Sequence, residues 1–251
     1  MKDKKIAILY GINPILEALK SGRRQCQKVI IEQDKTSPRI ASLQALVLSS
    51  NIKLESLPKK TFQQKYRELQ HQGVVGYFSP IEPVELDILI DQALAASPRP
   101  TLVLLDEIQD PQNLGAIIRS AEIFGLQGLI LPRNRSASLN ETVAKCSAGA
   151  IESLPICWTT NLNQACSRLK EKGFWIVALD PQGETGCNEF QFEMPTALIV
   201  GGEGKGIRPL LKKSCDFSIR IPMAGKMESL NASAACAVVF YEILRQKQEK
   251  R

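Results

Sequence analysis

The sequence predicts an α/β protein whose C-terminal part forms a parallel sheet covered by helices on both faces. From Thr101 onward, short apolar runs alternate with segments in which apolar residues recur at helical spacing. Apolar strands joined by helices are typical of parallel sheets, because the connecting helices bury both faces. Of the 251 residues, 44% are hydrophobic and 23% are charged, and this composition is ordinary for a folded globular protein.

The first 80 residues predict a separate, smaller α/β layer. Asn13 followed by Pro14 predicts the start of a helix that runs to Lys20, with Asn13 as N-cap and Pro14 in the first turn. The later elements of this part are predicted to be strands at 28–31 and 52–57 and helices at 40–50 and 61–70. Prolines punctuate the next 20 residues, so 81–100 is predicted to be a linker that contains one helix at 86–96.

Strands and helices alternate clearly in the remainder of the chain. The strands are expected at 102–105, 128–131, 154–158, 174–179, 197–200 and 217–221. The helices are expected at 114–124, 141–150, 162–172, 208–213 and 230–247. We therefore expect one domain over 1–80, a linker over 81–100 and a second domain over 101–251.

The positive charge of the chain is concentrated in its first third. The formal net charge is +6, yet the first 80 residues alone hold 14 Lys and Arg against six Asp and Glu. A basic module joined to a nearly neutral one predicts that the first part holds a polyanion, and the alternative is a solvated basic surface without a partner. The side chains expected to contact the polyanion are Arg23, Arg24, Lys59 and Lys60.

Composition argues against several classes of function. No apolar run approaches the length that spans a bilayer, and the N-terminus lacks the apolar core of a signal peptide, so a cytoplasmic protein is expected. The seven cysteines are scattered without a C-x-x-C pair, which favours free thiols over a metal site. The only histidine is His71, and this weakens any hydrolase mechanism that needs a histidine base.

The first segment that predicts chemistry runs from Asp106 to Arg119. It begins where a predicted strand ends and continues into a helix, and α/β proteins place their ligands at such points. Asn113 is a candidate site residue, and its alternative role is to cap the helix. Arg119 lies six positions further along, and its alternative role is that of an ordinary surface arginine.

The second segment is the glycine-rich run that follows the predicted strand 197–200. Gly201, Gly202, Gly204 and Gly206 surround Glu203 and allow the backbone to approach a ligand closely. The run is neither a Walker A loop nor the dinucleotide fingerprint, because the spacing of its glycines fits neither. It indicates a cofactor of the adenosine type, and the alternative is a simple tight turn.

The third segment covers 219–237. A predicted strand ends at Pro222, a loop turns at Gly225, and an alanine-rich helix begins near Leu230. Ser229 and Asn231 stand at the start of that helix, where capping is their alternative role.

The three segments together resemble the three motifs of the SPOUT-class RNA methyltransferases, in the SpoU or TrmH branch. The matching pieces are Asn113 with Arg119, the glycine run with Glu203, and Ile221-Pro222-Met223 with Ser229-Leu230-Asn231. The N-terminal part resembles the L30e-like RNA-binding domain of this branch through 10–14 and 71–74, with Asn13 where the branch often has His. Among its subgroups, the chain most resembles the rRNA guanosine 2′-O-methyltransferases.

The resemblance implies a C-terminal trefoil-knotted methyltransferase domain, S-adenosyl-L-methionine as cofactor, RNA as substrate and a homodimer. It implies cofactor binding by Gly201, Gly202, Ile221, Met223 and Leu230, and no metal. It implies a catalytic or orienting role for Arg119, Asn113, Glu203, Asn231 and Ser229. Arg119 is either the proton acceptor or a clamp on phosphate and developing alkoxide, and the second role suits a guanidinium that normally stays protonated.

Methylation of a guanosine ribose in 23S rRNA is the function that this resemblance predicts. Three alternatives stay open: a tRNA ribose 2′-O-methyltransferase, a non-catalytic RNA-binding or ribosome-assembly protein on the same fold, and a nucleotide-dependent enzyme of ordinary doubly wound fold. The presence of Arg119, Glu203 and Asn231 argues against a non-catalytic protein. The missing dinucleotide fingerprint argues against the doubly wound enzyme.

Overall fold

In this computed structural model the described residues are 6–227 and 229–249, and they fall into two compact units. The first unit contains the chain up to Glu82 together with Leu139–Ser153, and the second contains Pro83–Ser138 and the chain from Leu154 onward. The strands are β1 (Ala7–Tyr10), β2 (Cys26–Glu32), β3 (Lys53–Leu57), β4 (Val74–Phe78), β5 (Thr101–Asp106), β6 (Gly128–Pro132), β7 (Ile156–Thr159), β8 (Trp175–Leu179), β9 (Thr185–Gly186), β10 (Thr196–Gly201) and β11 (Phe217–Arg220). The helices are α1 (Ile12–Ser21), α2 (Pro38–Ser49), α3 (Lys59–Lys65), α4 (Leu86–Ala96), α5 (Pro111–Ile123), α6 (Glu141–Cys146), α7 (Leu162–Glu171), α8 (Pro209–Lys212) and α9 (Ala232–Glu249).

The first unit is built on a four-stranded mixed sheet in the order β1–β4–β2–β3. Strand β4 is antiparallel to both β1 and β2, whereas β2 and β3 are parallel. A parallel pair needs a crossover connection, and α2 supplies it between β2 and β3. The centre of the sheet is apolar, since Val29, Ile30, Val74 and Val75 are fully buried.

The second unit is built on a seven-stranded, wholly parallel sheet in the order β7–β6–β5–β10–β8–β11–β9. Its central strands β5 and β10 pair from Thr196 opposite Thr101 to Gly201 opposite Asp106. This confirms the predicted α/β class and the parallel sheet. Because parallel strands all end at one edge of a sheet, the three segments singled out in the sequence emerge together at the carboxyl edge. The trefoil knot stays a prediction.

Helix α4 packs into the core of the second unit. Residues 81–100 were predicted to be a linker, but the helix they contain is part of this unit. Leu89, Ile90 and Ala93 are buried in the same apolar core as the strand residues Leu102 and Ile130. The prolines on either side of the helix suggested a linker, but its buried apolar face makes it part of the core.

A segment of the C-terminal half of the sequence completes the first unit. Residues 139–153 contain α6, capped by Asn140, and a 3₁₀ turn at Ala150–Glu152. The Glu152 carboxylate forms a bidentate ion pair with Arg24, with Oε1 2.8 Å from Nη2 and Oε2 2.9 Å from Nε, and both side chains are almost completely buried. The predicted boundaries placed this whole segment in the second domain.

The strands predicted for the second part occur within two residues of their expected bounds. The helix predicted at 141–150 ends at Cys146 instead, because Ala148 and Gly149 both adopt the left-handed backbone conformation. Three strands, β1, β4 and β9, had no prediction. The two glycines around the start of β4 suggested turns: Gly73, with φ 85°, does lie in a turn, but Gly76 is a strand residue against which the Phe78 ring packs.

Helix α1 begins two residues earlier than predicted, at Ile12 instead of Pro14. Its N-cap is Gly11, with φ 89°, and Asn13 therefore lies inside the first turn. The predicted capping role of Asn13 is wrong, because the positive φ of Gly11 turns the chain into the helix before Asn13 is reached.

Candidate active site

A cavity of about 430 Å³ opens at the carboxyl edge of the second unit's sheet. Its walls are formed by the ends of β8 and β10, the segment after β11 and the first turn of α9. The residues predicted to bind the cofactor all line it, together with three of the others assigned to catalysis: Gly201, Gly202, Ile221, Met223, Leu230, Glu203, Ser229 and Asn231. Asn113 and Arg119, which both belong to α5, are not among the lining residues.

The glycine loop after β10 folds back tightly on itself. A Cβ atom on Gly201 would lie 2.1 Å from the carbonyl carbon of Gly206, and a Cβ atom on Gly202 would lie 2.5 Å from the carbonyl oxygen of Glu107. The amide of Gly206 also donates a hydrogen bond to the carbonyl of Gly202, with N and O 3.0 Å apart. Only glycine fits at these two positions, and this wall of the cavity is therefore made largely of main chain.

Three side chains from the three sequence segments meet beside the cavity. Oε1 of Glu203 accepts hydrogen bonds from Nδ2 of Asn113 at 2.7 Å and from Nδ2 of Asn231 at 2.6 Å. Nδ2 of Asn231 also lies 3.1 Å from Oδ1 of Asn113. The network holds the glycine loop to the N-terminal turns of α5 and α9. In sequence, Glu203 is 90 residues from Asn113 and 28 residues from Asn231.

Asn231 performs both of the roles considered for it. Its Oδ1 accepts hydrogen bonds from the amides of Ser233 and Ala234 and so caps α9, while its Nδ2 donates to Glu203. Asn113 is different, because the N-cap of α5 is Asp110, whose carboxylate accepts from the amide of Asn113. The amide group of the Asn113 side chain is thereby left for the network.

Arg119 is exposed and makes no hydrogen bond or ion pair with any other residue in the described part of the chain. It follows Asn113 by six residues, which places the two side chains about 120° apart around the helix axis. This spacing explains why Asn113 joins the network whereas Arg119 does not. The Arg119 guanidinium is thus available to an anionic group from outside the chain.

Asp106, at the carboxyl end of β5, anchors the residue that follows the glycine loop. Its side chain is fully buried and accepts from the backbone amide of Arg208 at 2.9 Å and from Nε of Arg208 at 2.8 Å. Nη2 of Arg208 lies 2.7 Å from the same carboxylate. Sequence reasoning assigned no role to this pair, although a carboxylate at the end of an apolar strand was a signal that a cationic partner was needed.

A second carboxylate, Asp180, lines the cavity just after the end of β8. Burial acts to raise the pKa of this carboxyl, but the hydrogen bonds from Lys212 and from the amide of Gln182 outweigh it and lower the pKa below its usual value. Asp180 is therefore ionised at neutral pH and contributes a hydrogen-bond acceptor to the cavity lining.

The predicted polyanion contacts of the first unit divide into two groups. Lys59 and Lys60 are exposed on α3. The prediction for Arg24 is wrong, because its side chain is only 2% exposed and its guanidinium is held by Glu152. Arg23 is half-buried, and its Nη1 donates to the carbonyl of Glu152 at 3.2 Å.

The described residues contain no helix long and apolar enough to cross a membrane. Within the same ranges, 6–227 and 229–249, no group of three or more His, Cys, Asp or Glu side chains is placed to hold a metal ion. All seven cysteines carry free thiols.

Comparison with known proteins identifies the family. Residues 100–241 match the SpoU rRNA Methylase family, which covers more than half of the chain. The chain belongs to this SpoU family of RNA methyltransferases. Residues 8–84 match a second family, described as RNA 2′-O ribose methyltransferase substrate binding, and this match covers most of the first unit.

Two of the relatives of this SpoU family chain extend over nearly all of it, and a third covers about two thirds. A Bacillus subtilis (strain 168) protein, YacO, assigned to the TrmH family of tRNA/rRNA methyltransferases, is 38% identical over 239 residues, or 95% of each chain. The SpoU methyltransferase AviRb from Streptomyces viridochromogenes, solved with AdoMet, has a TM-score of 0.82 at 24% identity and covers 97% of this chain and 91% of its own. The TrmH/SpoU tRNA modifying enzyme of A. aeolicus has a TM-score of 0.56 at 30% identity and covers 66% of this chain and 83% of its own.

Proposed function

We propose that this chain transfers a methyl group from S-adenosyl-L-methionine to the ribose 2′-hydroxyl of a guanosine in 23S rRNA. The observation that carries the proposal is the arrangement at the carboxyl edge of the sheet. There, in a chain of the SpoU family, a cavity walled by glycine main chain adjoins the Asn113–Glu203–Asn231 network. The free thiols of all seven cysteines suit a reducing cytoplasm as the place of action.

The cavity suits S-adenosyl-L-methionine in size and in chemistry. A volume of about 430 Å³ lies within the usual range of ligand pockets, roughly 300–1,000 Å³. Ile221, Met223 and Leu230 offer apolar surface to an adenine ring, and the main chain of Gly201 offers polar groups for its edge. Asp180 adds an ionised acceptor in the lining for hydroxyl or ammonium groups. When bound, the cofactor supplies a methyl group already activated by a sulfonium.

The reaction that fits this site is an in-line displacement, in which the ribose 2′-oxygen forms a bond to the methyl carbon as the carbon–sulfur bond breaks. The chain must orient the ribose and manage the charge that develops on the 2′-oxygen. Arg119 is exposed and free of partners among the described residues, so its guanidinium can bind the phosphate next to the ribose and stabilise the developing alkoxide. We assign it this role, with water or another acceptor taking the proton, because a guanidinium stays protonated in proteins.

The proposed positioning roles follow from the hydrogen-bond network. Glu203 ties the glycine loop to Asn113 and Asn231, and this fixes the loop that forms one wall of the cavity. Ser229 lines the cavity beside Asn231, and we assign its hydroxyl a contact with the substrate or the cofactor. None of these groups needs a metal ion in this scheme.

Ribosomal RNA is proposed over tRNA because of the first unit. It carries the basic excess of the sequence, it matches the substrate-binding family, and the tRNA modifying enzyme from A. aeolicus covers only 66% of the chain. The exposed lysines Lys59 and Lys60 are the cations assigned to phosphate contacts on this unit.

We also propose a homodimer that forms through α5 and α9 of the second unit. These helices pack together and expose Ile123, Val238 and Tyr241, which are 61%, 43% and 56% exposed. Phe124 stacks edge-on to Tyr241, with ring centroids 6.0 Å apart, and so extends the apolar face. Apolar faces of this kind mark protein interfaces. Arg119 lies on α5, one of the two helices that form this face. Light scattering should give twice the chain mass for the wild type and a single chain mass for Tyr241→Glu.

The experiment that tests the proposal is methyl transfer to unmodified RNA. In vitro transcripts of 23S rRNA, 16S rRNA and a tRNA pool are incubated with the protein and methyl-labelled S-adenosyl-L-methionine, and the labelled nucleoside is identified by mass spectrometry after nuclease digestion. The expected result is 2′-O-methylguanosine in the 23S transcript alone. Label in tRNA alone, or on a base rather than a ribose, would contradict the proposed substrate, and cofactor binding without any transfer would favour a non-catalytic RNA-binding role.

A further inference from the structure

A second cavity in the second unit has no role in the site described above. It has a volume of about 470 Å³ and lies where β6 and β7 end. Its lining is mostly polar and includes Asn134, Arg135, Asn161, Asn163 and Arg208. Two arginines and three asparagines contribute to it, and no carboxylate does.

The second cavity opens on the same edge of the sheet as the first. The strands are all parallel, and in the sheet order β5 separates β6 and β7 from β10 and β8. Neighbouring strands lie about 4.8 Å apart, so the two cavities are separated by roughly 10–20 Å along this edge. A single RNA strand whose target ribose sits at the first cavity therefore passes within reach of the second with its neighbouring nucleotides.

The two arginines are oriented by acidic side chains and still keep free donors. Nη1 of Arg135 lies 3.0 Å from Oε1 of Glu107, and this hydrogen bond lowers the pKa of the Glu107 carboxyl. Arg208 is held by Asp106 through Nε and Nη2. Nη2 of Arg135 and Nη1 of Arg208 make no bond to another residue of the described ranges.

The asparagines add amide donors of fixed position. Oδ1 of Asn161 accepts from the amide of Asn163, and Oδ1 of Asn163 accepts from Ser214, which leaves the Nδ2 groups of both without a partner among the described residues. Oriented guanidinium and amide donors without a competing carboxylate in the lining are the chemistry that recognises phosphate oxygens.

We infer that this cavity binds a phosphodiester of the RNA strand, at a nucleotide that flanks the methylated one. The inference rests on the proposed function and extends it, because it assigns the second unit an RNA contact beyond the one proposed for Arg119. It predicts that RNA affinity depends on Arg135, whereas cofactor affinity does not.

The test measures RNA affinity against salt for the full-length protein. The probe is a fluorescein-labelled single-stranded RNA of mixed sequence, titrated by anisotropy at several KCl concentrations, and S-adenosyl-L-methionine affinity is measured by calorimetry. Arg135→Gln removes the proposed contact. Arg168→Gln is the matched control, since Arg168 is another partly exposed arginine (41%, against 69% for Arg135) that pairs with carboxylates, Asp87 and Glu171, but it lies outside the cavity.

Arg135→Gln should weaken RNA binding about tenfold and reduce the log–log salt slope by roughly 0.7, the share of one phosphate contact on a single strand. Asn134→Asp, which adds a negative charge to the cavity and leaves the Glu107 pair intact, should also weaken binding. Arg168→Gln should match the wild type, and all three variants should bind the cofactor normally.

Equal affinities and slopes for Arg135→Gln and Arg168→Gln would overturn the inference and leave the proposed function intact. Binding of the free nucleotide GMP is measured as a further test of what the cavity holds. If GMP binds at micromolar concentration in an Arg135-dependent way and without competing with RNA, the cavity holds a mononucleotide and the inference is also wrong. A wild-type protein that binds no RNA and transfers no methyl group would contradict the proposed function itself.

Discussion

Removal of the Glu203 carboxylate tests whether the network beside the cavity organises the site. In Glu203→Ala, Asn113 and Asn231 lose the single oxygen that accepts from both, at 2.7 and 2.6 Å. A hydrogen bond to a charged group contributes about 1.5–3 kcal/mol when buried, and we take about 1 kcal/mol for each bond because Glu203 is exposed. The sum of about 2 kcal/mol corresponds to a roughly 30-fold fall in kcat/KM.

Glu203→Gln is the control for this prediction. A glutamine can keep an acceptor oxygen at the Oε1 position, while its other oxygen is replaced by an NH2 donor and the charge is removed, so its kcat/KM should stay within about threefold of the wild type. The assay is methyl transfer to the 23S transcript under conditions where the rate is proportional to enzyme and RNA. The reasoning is refuted if Glu203→Ala keeps wild-type kcat/KM, or if Glu203→Gln is as impaired as Glu203→Ala, since the charge and not the acceptor would then matter.

Three further predictions concern other parts of the chain. Arg119→Ala should lower kcat about 10²–10³-fold, because a group that stabilises developing charge is lost. Calorimetry should find the S-adenosyl-L-methionine affinity unchanged. Activity within a few-fold of the wild type would contradict the role assigned to Arg119. Gly201→Ala places a Cβ atom 2.1 Å from the Gly206 carbonyl carbon, and a strain of about 1–3 kcal/mol should weaken cofactor binding roughly 5- to 150-fold in the same titration. Glu152→Ala removes the carboxylate that pairs with the buried Arg24 and should lower the free energy of unfolding by about 3–5 kcal/mol, measured in urea titrations. A loss below about 1 kcal/mol would show that the pair is dispensable.

Local sequence was sufficient where a short range of residues carries the signal. The strands and helices of the second part are legible because apolar runs and glycine or proline punctuation act within a few residues. The motif residues Gly201, Ile221 and Leu230 come to line one cavity, as the carboxyl ends of parallel strands share one edge. Gly76 was the exception: it suggested a turn, but it is a residue of β4 that accommodates the Phe78 ring.

The sequence by itself determined the α/β class, the parallel sheet and the family motifs, because periodicity and motif spacing are written along the chain. Only the tertiary structure decided which core each segment joins: α4 packs in the second unit, and 139–153 packs in the first. The packing of 139–153 also makes Arg24, which was predicted to be a surface cation, the buried partner of Glu152. The tertiary structure also decided the pairing of Asp106 with Arg208 and the donors around Arg135, each made by side chains that lie 28 to 102 residues apart. The physical reason is that burial and ion pairing depend on contacts between distant segments, and no local pattern of residue types encodes their partners.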